Sequence, residues 1–254
     1  MTTSACIDIR DIEDKPEDMQ IHVFDEFIEE HHCNRMLWSF FNALPPFDVT
    51  MPDGSDYFKS KKRVYQDYKV HCPESPAHLL FKWVRNKIRR KIHQLYGSDH
   101  FHHLTLISET APGPENTVFY HSDRDMRDEC GGMAQFGSTN NGYGVMPNSS
   151  KDPGERWVAH KGSWIPNHTP TRSFTCILYL NEDFEGGETH FPHYGVQCKP
   201  KTGTLLVFAS DWKHEHGVRP VGNNSRFNVS SWYASEQLNE RFRDSEHFDQ
   251  REQT

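Results

Sequence analysis

The chain lacks the features that would place its 254 residues in a membrane or secreted class. No apolar run approaches the roughly 18 residues that a membrane-spanning helix requires. The first twenty residues, MTTSACIDIRDIEDKPEDMQ, are acidic and contain no apolar segment of the kind found in a secretory signal peptide. These absences predict a cytoplasmic protein without a membrane partner.

Paired cysteines and excess positive charge are also missing. The six cysteines are scattered without C-x-x-C spacing, which predicts reduced thiols rather than a disulfide framework. The formal net charge of -8 disfavours general binding to the phosphate backbone of nucleic acids. A 13% aromatic share argues against disorder, and the length is sufficient for a substantial core.

The order of hydrophobic patterns predicts the fold. Apolar residues follow helical spacing in 29–44 and again in 78–97, which ends at Gly97, a suitable C-cap. From residue 101, short segments rich in β-branched and aromatic residues follow one another without a long helical pattern between them. We therefore predict a mainly β (α+β) fold, an antiparallel sandwich or jelly roll with the N-terminal helices on one outer face.

Changes in composition along the chain predict the domain organisation. Residues 1–19 are charged and predicted to be flexible, and 237–254 form a charged C-terminal tail. One domain is predicted over 20–236. Within it, 124–172 is a long insertion rich in Gly, Asn, Ser and Pro, which is typical of a functional lid or a linker.

A His-x-Asp pair, His121 and Asp123, follows the apolar run VFY. Residues two apart on a strand point to the same face, so the pair could supply two ligands to a metal. The spacing alone is weak evidence, since it recurs at His247 and Asp249 in the charged tail. Downstream, His214 and His216 also share a strand phase, and either could complete the two-histidine, one-carboxylate triad of non-haem Fe(II) oxygenases.

The segment SRFNVSSWYA alternates polar and apolar side chains. Arg226 and Ser230 share one strand face, where a guanidinium group and a hydroxyl could receive a carboxylate. This strand could therefore bind an anionic ligand.

These elements, in this order, resemble the 2-oxoglutarate and Fe(II)-dependent prolyl hydroxylases. The family pattern is matched by HSD, SFTCILYLNEDFEGGETHFP, KPKTGTLLVF, HGVRPV and SRFNVSSW. The run CILYLNEDFEGGE is most similar to the catalytic domains of leprecan-type prolyl 3-hydroxylases, and IHVFDEFIEEHHCNRML resembles the opening of many prolyl 4-hydroxylase domains. The resemblance covers roughly 20–236 and implies a cupin-like double-stranded β-helix.

The resemblance also implies a role for particular residues. His216 is preferred to His214 because it opens HGVRPV and precedes Arg226 by the family's ten-residue spacing. Arg226 would pair with the distal carboxylate of 2-oxoglutarate, with Tyr179 and Ser230 as further hydrogen-bond donors. The implied catalytic set is His121, Asp123, His216 and Arg226, of which the first three are the metal ligands.

The implied reaction is hydroxylation of an unactivated C–H bond, with release of succinate and CO2. Its cofactors would be Fe(II), 2-oxoglutarate and O2, with ascorbate as the reductant. A prolyl or other residue of a protein or peptide is the expected substrate, and a free amino acid or other small molecule is the main alternative. Related nucleic-acid demethylases carry a second arginine six residues after the first, where this chain has Trp232. A non-catalytic ligand-binding relative is a further alternative.

Overall fold

Short strands and two helices form the folded part of the chain in a computed structural model, which describes residues 6–42, 62–66, 76–98, 100–113, 118–123, 157–160, 163–166 and 172–235. In chain order these elements are β1 (Ile7–Asp8), β2 (Ile21–Phe24), α1 (Glu30–Asn42), β3 (Lys62–Gln66), α2 (Pro76–Tyr96), β4 (His100–Thr110), β5 (Val118–His121), β6 (Trp157–His160), β7 (Ser163–Pro166), β8 (Arg172–Tyr179), β9 (Glu185–Gly186), β10 (Thr189–Phe191), β11 (Val196–Cys198), β12 (Leu205–Ala209), β13 (His216–Val218), β14 (Val221–Gly222) and β15 (Arg226–Ser235).

The larger sheet has six strands in the order β2-β12-β8-β15-β4-β3, all paired antiparallel. Every residue of β8 is buried, as expected for a central strand that is covered on both faces. The strand order is not the chain order, so neighbouring strands come from distant parts of the sequence. This sheet supplies one wall of the candidate site.

The two helices cover the outer face of this sheet. Alternate residues of β15, among them Phe227, Val229 and Tyr233, belong to one buried apolar cluster with residues of both helices. The helices contribute Cys33, Met36, Phe81, Val84, Ile88 and Ile92 to that cluster. Gly97, with a positive φ of 93°, ends α2 and donates its N–H to the His93 carbonyl, as the predicted C-cap requires.

The second sheet has five strands in the order β1-β11-β10-β13-β5. A second apolar cluster fills the space between the sheets, and in it Phe191 of β10 meets Phe208 of β12 edge to face at a ring separation of 5.0 Å. Two facing sheets with helices on one outer face confirm the predicted fold class. No helix among the described residues is both long enough and apolar enough to cross a membrane.

Within the segment 1–19, which is predicted to be flexible, residues 6–19 contain some regular structure. Ile7 and Asp8 pair in parallel with Val196 and Gln197, and they are followed by a turn of 3-10 helix over Ile9–Asp11. Ile9 is fully buried. Ile9 and Met19 both belong to the apolar cluster between the sheets, and β1 adds a strand to the edge of the second sheet, so part of this charged segment is packed on the folded domain.

The predicted insertion is described only in part. Trp157–His160 and Ser163–Pro166 pair as an antiparallel hairpin, and Arg172 already belongs to the buried strand β8. The rest of 124–172 and the predicted tail 237–254 lie outside the described residues. The lid and the domain boundaries stay predictions.

Candidate active site

Strands β5 and β13 bring the predicted metal ligands together. In the register of this pair, His216 lies directly opposite His121. Strand β5 ends at His121, so Asp123 stands two residues beyond the strand rather than within it. The Asp123 Oδ2 atom lies 3.6 Å from His216 Nε2, and both side chains are buried. Two of the three predicted ligand side chains therefore meet in space.

Hydrogen bonds from neighbouring elements orient these two groups. Thr175 of β8 donates its hydroxyl to Asp123 Oδ2 at 2.7 Å, and its oxygen lies 2.9 Å from the Ser210 hydroxyl. On the other side, His216 Nδ1 lies 3.1 Å from the backbone carbonyl oxygen of His214. A carbonyl only accepts, so Nδ1 carries a proton, and in the neutral ring the lone pair then lies on Nε2. We call Asp123, Thr175 and His216 the aspartate end of the site.

His214 does not share a strand phase with His216, and that prediction is wrong. His214 closes a short turn of 3-10 helix, Trp212–His214, and β13 begins only at His216. The turn forms because Asp211 accepts a hydrogen bond from the Lys213 N–H at 3.1 Å, which favours a turn over an extended strand. The Nδ1 atom of His214 is hydrogen-bonded to Asp211.

Arg226, at the start of β15, is buried with almost no exposed surface. Its Nη1 donates to Asn228 Oδ1 at 2.7 Å, and its Nη2 lies 3.4 Å from the Thr189 hydroxyl oxygen. Its Nε has no hydrogen-bond partner, and no carboxylate pairs with the guanidinium group, among the residues that the structure describes. Burial lowers the pKa of Arg226 below its ordinary value, yet a guanidinium group keeps its charge near neutral pH.

Tyr179, at the end of β8, borders the same guanidinium group. Its ring lies 5.2 Å from the Arg226 guanidinium carbon, and its hydroxyl is 2.8 Å from that of Thr189. Burial raises the pKa of Tyr179 well above its usual range, so the hydroxyl stays protonated. Tyr179, Thr189, Arg226 and Asn228 form what we call the arginine end of the site.

Ser230 reaches the arginine end only through Asn228. The side-chain amide of Asn228 donates to Ser230 Oγ at 2.8 Å, while Asn228 Oδ1 accepts from Arg226 and from Ser108. Ser230 is half-buried on the strand face predicted from the sequence. This hydrogen bond fixes the Asn228 amide, which in turn holds Arg226.

Two glycines allow this packing around Arg226. Gly187 has a positive φ of 69°, and a Cβ there would lie 2.8 Å from the Phe184 ring and 3.1 Å from Arg226 Cδ. Gly186 has the same φ, and a Cβ there would lie 2.2 Å from the Pro220 carbonyl oxygen. The Gly-Gly step of GGET therefore lets the chain pass close to the guanidinium group.

A second buried arginine lies beside the aspartate end. Arg172, the first residue of β8, donates from Nη1 to the Asp123 backbone carbonyl at 3.3 Å. Its guanidinium carbon lies 4.6 Å from the centre of the Trp232 ring. The indole N–H of Trp232 is buried and has no hydrogen-bond partner among the described residues. This pair places an unused donor close to the aspartate end.

A different cluster of possible ligands occurs on the surface. Glu29, His31 and His32, at the beginning of α1, are the one group of three such residues in the described part of the chain whose ligand atoms lie within 4.8 Å of one another. Glu29 and His31 are exposed, and the group contains no residue of the predicted site. The proposed reaction does not use this surface group.

The donor set at the aspartate end fits a divalent metal. A carboxylate and an imidazole lone pair approach each other from two elements, and a second histidine lies opposite the first in the strand register. Such a set is typical of Fe(II) in oxygenases. At the other end, a buried cation surrounded by neutral groups fits an anionic ligand.

Comparison with protein families agrees with this arrangement. Residues 121–234 match the model of the 2OG-Fe(II) oxygenase superfamily. This match covers a little under half of the chain and supports a 2-oxoglutarate and Fe(II)-dependent, prolyl hydroxylase-like enzyme. The cofactors of that family, Fe(II), 2-oxoglutarate and O2, are those that the resemblance implied.

Curated relatives share a limited segment with this oxygenase domain. Human prolyl 3-hydroxylase 2 is 35% identical over 72 residues, which cover 26% of this chain and 10% of that protein. Chicken prolyl 3-hydroxylase 1 is 33% identical over 67 residues, which cover 24% of this chain and 9% of that protein. The chain therefore spans about a tenth of the length of the curated relatives that it matches.

Solved structures share the fold over most of this oxygenase chain. A prolyl hydroxylase from Trichoplax adhaerens, in complex with a hypoxia-inducible factor peptide fragment, superposes with a TM-score of 0.56 at 13% identity, covering 86% of this chain and 85% of that one. The collagen prolyl hydroxylase of Paramecium bursaria Chlorella virus 1, in its 2OG complex, gives 0.53 at 15% identity, with coverage of 85% and 96%. Both support the predicted jelly roll.

Several residues of the site were not predicted from the sequence. Thr175 and Thr189 bridge the two sheets, Asn228 holds Arg226, and Arg172 lies beside Asp123. For Thr189 a signal existed, because it follows the Gly-Gly-Glu step of the motif. For Arg172 the signal was a charged residue at the start of an apolar strand.

Proposed function

We propose that the chain is a 2-oxoglutarate and Fe(II)-dependent dioxygenase that hydroxylates a prolyl residue of a peptide or protein and releases succinate and CO2. One observation carries the proposal. The buried Arg226 guanidinium group, which has no carboxylate partner among the described residues, lies at one end of a site whose other end holds Asp123 and His216. A buried charge without a counter-ion is costly, so an anionic ligand is expected there.

At the aspartate end, we assign Asp123, His216 and His121 as the Fe(II) ligands. Thr175 would hold one carboxylate oxygen by its hydrogen bond, and the His214 carbonyl would keep the His216 lone pair on Nε2. Bound Fe(II), with 2-oxoglutarate and O2, supplies the oxidising chemistry that inserts oxygen into a C–H bond.

At the arginine end, we assign Arg226 as the partner of the distal carboxylate of 2-oxoglutarate. Its guanidinium group can donate two parallel hydrogen bonds to a carboxylate. Tyr179 and Thr189 would supply hydroxyl groups to the same anion, since both already lie at the guanidinium group. Asn228, supported by Ser230, would fix the direction of the arginine side chain.

The peptide assignment is supported by the curated relatives and by the Trp232 indole. That N–H is buried, unpartnered among the described residues, and stacked on Arg172, which contacts the Asp123 backbone. We propose that it donates to an amide carbonyl of the substrate. Replacement by Phe keeps an aromatic ring, though a smaller one, and removes the donor, so Trp232→Phe should raise the KM for peptide while substrate-independent succinate formation is unchanged.

The central test measures succinate after O2 is added to protein loaded anaerobically with Fe(II) and 2-oxoglutarate. Proline-containing peptides, free proline and other amino acids are compared as substrates, and tandem mass spectrometry locates the added oxygen. Succinate formation coupled to hydroxylation of a peptidyl proline supports the proposal. Succinate formation coupled only to hydroxylation of free amino acids would indicate a small-molecule substrate instead of a peptide. Binding of 2-oxoglutarate without succinate formation would indicate a non-catalytic relative.

A further inference from the structure

Asp211 and His214 stand beside the aspartate end, and the proposed chemistry does not use their side chains. Asp211 Oδ1 lies 2.6 Å from His214 Nδ1. An ionised carboxylate can only accept, so His214 donates its Nδ1–H to Asp211. The His214 side chain is 2% exposed and that of Asp211 is 30% exposed, so this hydrogen bond is shielded from water on the histidine side.

The Asp211–His214 bond closes a turn whose backbone is also fixed. The His214 N–H donates to the Asp211 carbonyl at 3.1 Å, and the Glu215 N–H donates to the Trp212 carbonyl at 3.2 Å. The position of the His214 carbonyl oxygen is therefore held both by its own side chain and by the turn. That oxygen is the acceptor for His216 Nδ1 at 3.1 Å.

The proton on His216 Nδ1 decides what the other ring nitrogen can do. With Nδ1 protonated, a neutral imidazole carries its lone pair on Nε2, the atom that lies 3.6 Å from Asp123 Oδ2. Without a fixed acceptor, the ring could turn or exchange tautomers, and an N–H would then face the carboxylate. Such outer partners of metal-binding histidines commonly change metal affinity by roughly 10- to 100-fold.

We propose that Asp211 and His214 are positioning residues that fix the tautomer and direction of the His216 ring for a divalent metal. The inference rests on the proposed role of His216 as a ligand. It gives His214 a function other than ligation, in agreement with the geometry. Within the described part of the chain, His214 does not join Asp123 and His216 in a group of three ligand atoms within 4.8 Å of one another.

Two substitutions at residue 214 separate positioning from ligation. The amide nitrogen of His214→Asn occupies about the place of the imidazole Nδ1 and can donate to Asp211, but it offers nothing in place of Nε2. His214→Leu fills a similar volume and donates nothing. We expect His214→Leu to weaken Co(II) binding by about tenfold, measured by calorimetry on the full chain with 2-oxoglutarate present, and His214→Asn to bind within about threefold of the wild type.

A second readout follows the His216 ring itself. Imidazole 15N chemical shifts in the metal-free protein report which ring nitrogen carries the proton, and the His216 signals are those that disappear in His216→Gln. We expect one tautomer in the wild type and in His214→Asn, and a mixture in His214→Leu. Lys213→Ala is the matched control, since Lys213 lies in the same turn but its ammonium group forms a solvent-exposed ion pair with Asp18.

The outcomes are distinct. Wild-type Co(II) affinity and a single tautomer in His214→Leu overturn the inference, as does a His214→Asn protein that binds as weakly as His214→Leu. If circular dichroism shows that His214→Leu does not fold, Asp211→Asn is measured instead, with an expected loss of about threefold and a mixed tautomer. Unchanged values in that variant overturn the inference. Normal Co(II) binding by His216→Gln would instead show that the proposed metal site is wrong.

Discussion

Strand β8 contributes a residue to both the aspartate end and the arginine end, but the buried charged groups at the two ends have opposite sign. Thr175 and Tyr179 lie on one face of β8, about 13 Å apart at the usual rise of a strand. The first supports a buried carboxylate, and the second borders a buried guanidinium group. The aspartate end can accommodate a cation and the arginine end an anion, so a metal and a carboxylate ligand would each neutralise one end.

The largest expected effect comes from removing the aspartate end. Asp123→Ala and His216→Ala should each abolish Co(II) or Fe(II) binding, measured by calorimetry, because each removes a metal ligand. His193→Ala, on an exposed turn, is the control and should bind metal normally. Retained stoichiometric binding in His216→Ala, with loss in His214→Ala, would move the ligand to the other histidine.

Removing the arginine end should leave the metal in place. Arg226→Ala should bind Fe(II) normally but raise the 2-oxoglutarate requirement steeply, since truncating one partner of a buried charge pair costs about 2–5 kcal/mol. The measurement is succinate formation against 2-oxoglutarate concentration. Arg219→Ala, another arginine of the same region, is the control. An unchanged co-substrate dependence would contradict the assignment.

A smaller change at the aspartate end tests its hydrogen bonding. Thr175→Val preserves shape but removes the donor to Asp123 Oδ2, so metal affinity should fall by about tenfold with no change in the 2-oxoglutarate requirement. Thr175→Ser keeps the hydroxyl and should behave like the wild type. Equal metal affinity in the Val and Ser variants would show that this hydrogen bond does not orient the carboxylate.

The matching change at the arginine end is Tyr179→Phe. Loss of one hydroxyl that contacts Thr189 should weaken 2-oxoglutarate binding by about 0.5–1.5 kcal/mol and leave metal binding unchanged. Titration of 2-oxoglutarate into Co(II)-loaded protein measures the effect. Tyr194→Phe, which removes a surface hydroxyl bonded to the Asp18 carbonyl, should be silent. A metal-binding defect in Tyr179→Phe would mean that the two ends are not independent.

The second His-x-Asp pair gives the smallest expected effect. His247→Ala and Asp249→Ala should change neither metal affinity nor succinate formation, because that pair lies in a charged segment without a strand pattern. Both quantities are measured as for Asp123→Ala. A loss of metal binding in either variant would show that the metal ligands come from His247 and Asp249 and not from the first His-x-Asp pair.

Local patterns predicted much of the fold and the outline of the site. Alternation along β15 separated Arg226 and Ser230 from Phe227 and Val229, and the structure places the second pair in the core beneath the helices. Helical spacing located both helices to within two residues. Alternation and helical spacing depend on near neighbours in the chain, which is why the sequence is sufficient for them.

Features that depend on the meeting of distant segments could not be predicted in this way. Thr175 and Thr189 look like ordinary strand residues, and their contacts exist only because the two sheets face each other in one register. The parallel pairing of β1 with β11 joins residues almost 190 positions apart. His214 lies in a turn where a strand is expected, because the Asp211 side chain, three residues earlier, accepts a hydrogen bond from the backbone of that turn.

The pairing of the first strands has a consequence for how the chain folds. Strand β1 pairs with β11 and β2 pairs with β12, so the first 24 residues have no partner in their sheets until residues 196–208 are available. Contacts between such distant segments slow folding, because a long loop must close before any pairing energy is gained. We therefore expect β1 and β2 to pair late in folding, after residues 196–208 have reached their sheets.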